Sequence, residues 1–156
     1  TKDQVIAELG QPDEIQQQSM PRPASVPGAN APESEQVTYH LRYPSLGFDI
    51  TVSSDQGMKE VRCYGRREQG NTARDFLGKT DKQLGLGASI EDVLRAYGKP
   101  EVRAEGRDQM WLYPHQGWDF RFRDRELSGF TMAQPVANNV VISDNGDGSW
   151  ETTVKP

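Results

Sequence analysis

Two histidines, two equivalent aspartates and one Asp/Asn/Gly run are the residues of this chain whose types could carry chemistry. His40 and His115 are the only histidines. A hydrolytic triad would need one of them beside a nucleophile presented on a sharp turn such as Gly-x-Ser-x-Gly, and the sequence holds no such turn. Neither has a Cys, Asp or Glu at a recognised metal spacing. His40 alternates with Tyr39 and Leu41 on the polar side of a strand pattern, and His115 follows Pro114 in a loop, so both read as surface residues. Asp49 and Asp119 resemble a catalytic carboxylate pair, which requires two acids close together. Each, however, follows a Gly-aromatic step at a strand start, where an aspartate can satisfy loop amides.

Asp144-Asn145-Gly146-Asp147-Gly148 alternates oxygen donors as a calcium loop does. With Gly148 at the sixth position the last ligand would be Val154, which has no oxygen to offer. A tight turn between Val140–Ser143 and Trp150–Val154 accounts for the same residues. Gly85-Leu86-Gly87 lacks the third glycine and preceding strand of a dinucleotide fingerprint. Cys63, the single cysteine, alternates with Val61 and reads as a small core residue. The expectation is therefore no catalytic group, no metal and no cofactor.

The elements that position these residues follow from a pattern used twice. Val5, Ile6, Gly10 and Pro12 recur as Val93, Leu94, Gly98 and Pro100. Val5, Ile6 and Leu9, and likewise Ile90, Val93, Leu94 and Tyr97, fit the buried stripe of a short helix. Thr1 with Asp3, and Ser89 with Glu91 and Asp92, supply an N-cap and acidic first turn. Glycine, one residue, then proline stops each helix. Tyr43-Pro44 with Gly47-Phe48-Asp49 then recurs as Tyr113-Pro114 with Gly117-Trp118-Asp119 at identical spacing, and residues alternating on both sides predict a hairpin. A last strand at Val61 and Cys63 falls on Phe130 and Met132.

The predicted fold class is α+β: two tandem repeats, each a short helix packed on an antiparallel sheet of about four strands. The first repeat spans 1–68, with a flexible proline-rich insertion at 16–36. A linker follows at 69–82, with a helical turn expected around Ala73–Leu77. The second repeat spans 83–134, and 135–156 forms a C-terminal strand and tail. Glu14–Gln18 and Glu101–Glu105 are the first strands of their sets.

Thr1-Lys-Asp-Gln-Val5 with Leu9-Gly10-x-Pro12, and Ser89-Ile-Glu-Asp-Val93 with Tyr97-Gly98-x-Pro100, followed by the aromatic hairpins, resemble the tandem modules of the β-lactamase-inhibitor-protein-like fold. They also resemble the small outer-membrane assembly lipoproteins of the SmpA/OmlA type. That resemblance covers Thr1 to about Met132 and implies a non-enzymatic, extracytoplasmic protein that is periplasmic, outer-membrane-anchored or secreted. The chain lacks the disulfides usual among the inhibitor-like proteins and the lipid-modified cysteine of the lipoproteins, while its start at Thr1 leaves room for a leader or lipid anchor upstream.

Composition narrows the partners. The net charge is −5 and both halves are acidic, so the basic surface that binds phosphate backbones is missing and nucleic acid is not expected. No apolar run approaches the roughly 20 residues of a membrane helix. If Trp111, Tyr113, Trp118, Phe120 and Phe122 point at the helix, the opposite face carries His40, Arg42, Arg62 and Tyr64 in the first copy and Met110, Leu112 and Arg121 in the second. Met, Tyr, Arg and His side by side suit a protein interface. The expected function is a non-catalytic binding or scaffold module of an exported protein, using this face or the long loop. The alternatives are a small-ligand binder or hydrolase with a pocket between the repeats, and a structural domain of a larger secreted chain.

Overall fold

The computed structural model describes residues 1–20 and 36–156. The chain runs through helix α1 (Lys2–Leu9), strands β1 (Glu14–Met20), β2 (Gln36–Tyr43), β3 (Phe48–Ser53) and β4 (Gly57–Tyr64), and a one-turn helix α2 (Arg66–Gln69). Helix α3 (Ile90–Tyr97) follows, then β5 (Val102–Ala104), β6 (Asp108–Tyr113), β7 (Trp118–Arg123), β8 (Glu126–Ala133), β9 (Val140–Asp144) and β10 (Trp150–Val154). Strands β1 to β8 form one sheet in the order β1-β2-β3-β4-β8-β7-β6-β5, and β9 and β10 form a separate hairpin. Every pairing is antiparallel.

This is a mostly-β protein, and the expected α+β class is corrected. One eight-stranded sheet replaces two helix-on-sheet units, and the α-helices among the described residues amount to only eight, four and eight residues. The reason lies at β4 and β8. Each would be an exposed edge if its set of strands ended there, and an unpaired edge is a template for further pairing. They pair with each other instead, from Glu60 opposite Ala133 to Tyr64 opposite Gly129.

Both longer helices begin with a capping box, Thr1 with Gln4 and Ser89 with Asp92, in which side chain and backbone satisfy each other's donors. Both end at a glycine with positive φ, Gly10 at 88° and Gly98 at 79°. The Tyr43 hydroxyl donates to the Gly10 carbonyl at 3.0 Å, and the Tyr113 hydroxyl to the Gly98 carbonyl at 2.8 Å. The two motifs recur together for this reason: the tyrosine of the hairpin ties down the end of the helix, where a carbonyl would otherwise lack a partner.

The two helices are anchored unequally. Helix α3 buries Ile90, Val93 and Tyr97, whereas α1 buries only Val5. Under α3 lies a cluster rich in aromatic rings, with Trp111, Tyr113, Phe120, Phe122 and Phe130. Under α1 the cluster is smaller, with Leu41, Tyr43, Ile50 and Val52. Phe48 and Val61 pack against both.

The segment joining the halves also departs from expectation. No helical turn forms at Ala73–Leu77, because its amides are used in extended backbone: Arg74 N–H donates to the Pro44 carbonyl at 2.9 Å and Phe76 N–H to the Tyr64 carbonyl at 3.0 Å. The Phe76 ring stands edge-on to Phe48 at 6.1 Å and to Phe130 at 5.8 Å, plugging the helix side of the seam. The expected loop at 16–36 starts later, since Gln16 to Met20 continue β1 in register with Gln36 to His40. Its proline-rich remainder, 21–35, lies outside the described residues. No helix among the described residues is long and apolar enough to cross a membrane.

Candidate functional site

Alternation along the strands sends one set of side chains toward α1 and α3 and the other to the outer face, where all seven candidate interface residues lie. The outer face is open only in part. Helix α2 crosses its centre and sets Glu68 between two arginines: Arg62 Nη2 lies 3.2 Å from Oε2, and Arg121 Nε lies 2.9 Å from Oε1. Arg121 also donates to Asp119 at 2.7 Å, to the Thr131 hydroxyl at 2.7 Å and to the Cys63 carbonyl at 3.2 Å. Gly129 makes room for this group, since a Cβ there would stand 1.7 Å from Glu68 Oε1.

The far end of the face is covered by the β9–β10 hairpin. Gly148 comes so close that a Cβ on it would stand 3.1 Å from Met110 Cε and 3.2 Å from Ala104 Cβ. Arg103 N–H donates to the Asp144 carboxylate at 3.2 Å. His115, placed in a surface loop by its position after Pro114, is the clamp: Nδ1 lies 2.9 Å from both Glu101 oxygens and Nε2 lies 2.7 Å from the Val140 carbonyl. Both ring nitrogens face acceptors, so the cationic imidazolium satisfies the site best. The Glu101 bond, then the Val140 carbonyl, holds its pKa above the ordinary value.

Four of the seven candidates are thereby withdrawn as simple contact residues. Tyr64 is buried, its hydroxyl donating to Asp49 at 2.7 Å. Arg121 is saturated by its own partners, and Met110 and Leu112 are half-buried, Met110 beneath the hairpin and Leu112 beside Trp150. Alternation placed the seven residues on one face but could not show that α2 and the tail would fold onto it. His40, Arg42 and Arg62 remain.

These three line a shallow depression of about 270 Å³ with Gln16, Asp49, Thr51 and Glu60. Arg42 spans Glu14 at 3.3 Å and Asp49 at 3.4 Å. His40 Nδ1 lies 3.2 Å from the Thr51 hydroxyl. That is the reach of a base to a nucleophile, yet among the described residues no carboxylate holds the other ring nitrogen to orient it. Through Glu60 the depression adjoins a second of about 160 Å³ lined by Leu112, Asp119, Thr131 and Trp150. Withdrawal from water holds the Asp119 carboxyl above its ordinary pKa even with the Arg121 guanidinium beside it.

Asp49 and Asp119 thus bind arginine side chains and, for Asp49, a tyrosine hydroxyl, rather than loop amides. Among the described residues no three His, Cys, Asp or Glu side chains converge as a metal would require. In the 144–148 turn, Asp144 accepts from Gly146 N–H at 2.8 Å and Asp147 from Ser149 N–H at 2.9 Å, so both carboxylates brace the turn. Burial pushes the Cys63 thiol up to about 12, which leaves it protonated and unreactive. Glu68, Glu101 and Trp150 carried no signal in the sequence, because each acts through a contact far away along the chain. A scan of protein-family models and searches of curated proteins and of solved structures each found no match to this chain.

Proposed function

We propose that the chain is a non-catalytic protein-binding module of an exported protein, and that it engages its partner through the open part of the outer sheet face on β2, β3 and β4. One observation carries this reading. The chain covers its own outer face with α2 and the β9–β10 hairpin but leaves His40, Arg42, Thr51, Glu60 and Arg62 in a depression that adjoins, through Glu60, a second one lined by Trp150. The arginines of the first depression and the tryptophan of the second are residue types from which interfaces draw much of their binding energy. The resemblance to the inhibitor-like and assembly-lipoprotein modules supports an extracytoplasmic setting and a protein partner.

The test compares partners captured by three forms of the protein: wild type, Arg42→Asp with Arg62→Asp, and Glu8→Lys on α1. Loss of a partner in the double variant and its retention in Glu8→Lys supports the outer face. An unchanged set in the double variant, with its fold verified by circular dichroism, overturns it.

A further inference from the structure

The two outer edges of the eight-stranded sheet are finished differently. The β5 edge is three residues long and carries a charge at its middle, Arg103. The Arg103 N–H is taken by the Asp144 carboxylate of the β9–β10 hairpin at 3.2 Å. Short length, charge and a covering segment are devices by which proteins keep a sheet edge from pairing with another chain. The β1 edge lacks them. It runs for seven residues, Glu14–Met20, and pairs with β2 without a break in register. It holds no proline and no lysine, and its one charged residue, Glu14, stands at its start. Glu14 to Ser19 are all exposed, and among the described residues no strand pairs with β1 on its far side. The N–H and C=O groups on that side are left to water or to a further strand.

Backbone hydrogen bonds along an edge are blind to sequence, so the side chains decide which strand can join. Glu14-Ile-Gln-Gln-Gln-Ser-Met20 suits a copy of itself. Turned antiparallel about a two-fold axis at Gln17, it sets Gln17 opposite Gln17, Gln16 opposite Gln18 and Ile15 opposite Ser19. A glutamine amide carries both donors and an acceptor and can pair with its own copy, whereas a charged residue on the axis would meet a like charge. Glu14 falls opposite Met20 rather than opposite itself, and its carboxylate is already held by Arg42 at 3.3 Å. Ile15, an apolar side chain left 45 % exposed, gains cover.

We propose that β1 is a dimerisation edge, at which two copies of this chain join antiparallel and two-fold symmetric into one continuous sheet with eight strands from each copy. Each molecule offers one open edge of this kind, so the assembly closes at two instead of growing into a fibre. Gln16, which lines the outer-face depression, then faces Gln18 of the second copy, and the two depressions lie on the same face across the junction. The pairing uses the backbone of β1 and stands whether or not the outer face binds a partner.

Sedimentation equilibrium from about 1 to 100 μM measures the association. Gln17 is exposed, so Gln17→Lys and Gln17→Glu are expected to keep the fold, which circular dichroism checks. The expected result is a wild-type dimer, weakened about fivefold in each variant by like charges on the two-fold axis and recovered when the two variants are mixed. Wild type that stays a monomer overturns the proposal. Slow hydrogen exchange of the β1 amides that face away from β2 would then assign the edge to a segment of this chain, and fast exchange would leave it to a foreign strand. A dimer unchanged by either substitution, or variants that associate no better mixed than alone, overturns it as well.

Discussion

The two ends of the sheet are built from matching motifs and finished differently. At the β5–β8 end both faces are occupied, by α3 with its three buried anchors on one side and by α2 and the β9–β10 hairpin on the other. At the β1–β4 end α1 buries only Val5, and the outer face lies open as a polar depression. The same hairpin pattern therefore does two jobs. One end concentrates stability and the other leaves surface available, a division expected where binding surfaces are drawn from the less stable parts of a molecule.

The largest test of this contrast is in the helix anchors. Tyr97→Ala removes a ring that packs on Tyr113, Trp118 and Phe120, and the expected loss is about 4 kcal/mol from the cavity it leaves. Val5→Ala removes two methyl groups from the smaller cluster, for about 1 kcal/mol. Urea unfolding measures both, and equal losses would erase the distinction between the two ends.

A second, smaller effect tests the covering of the outer face. Glu68→Ala leaves Arg121, whose side chain is 16 % exposed, with Asp119 as its remaining carboxylate partner, and should destabilise by about 2 kcal/mol through the lost charged hydrogen bond. Glu14→Ala breaks an exposed ion pair at the open end, and its urea midpoint is expected to match wild type. A silent Glu68→Ala would mean that α2 merely rests on the sheet.

The smallest effect concerns pH. Because the folded-state pKa of His115 is raised above 6.5, its contribution is fully present below the unfolded pKa and is lost as pH rises through the folded value. Hydrogen exchange of the β9–β10 amides should therefore accelerate over that rise, relative to the β2–β3 amides. The difference should vanish in His115→Gln. Exchange that tracks pH equally in both hairpins would remove His115 as the clamp.

Much of this architecture was legible in the residues. Capping chemistry, Gly-x-Pro stops and alternation placed both eight-residue helices and the central hairpins, because these depend on neighbours within a few positions. The fold class was not legible. That β4 and β8 would pair is a fact about two strands far apart, and nothing in Val61, Cys63, Phe130 or Met132 distinguishes a seam from an edge. Strand β1 was expected to end at Gln18 and runs on to Met20 for a related reason: the pairing of Ser19 with Val37 and of Met20 with Gln36 uses backbone groups that any side chain would allow. Alternation placed the seven candidates on one face of the sheet. The covering of that face was not legible, because Glu68, Glu101 and His115 declare themselves only through partners brought near by the fold.

The seam has a consequence for how the chain can be taken apart. All four strands of each end are contiguous in sequence, and among the described residues β4 with β8 supplies the one strand pairing between them, over five residue pairs. The segment that links them carries Leu77 at 92 % exposure, a point accessible to a protease. A chain cut there would separate into two pieces whose matching strand edges and shared plug of Phe48, Phe76 and Phe130 direct them back together.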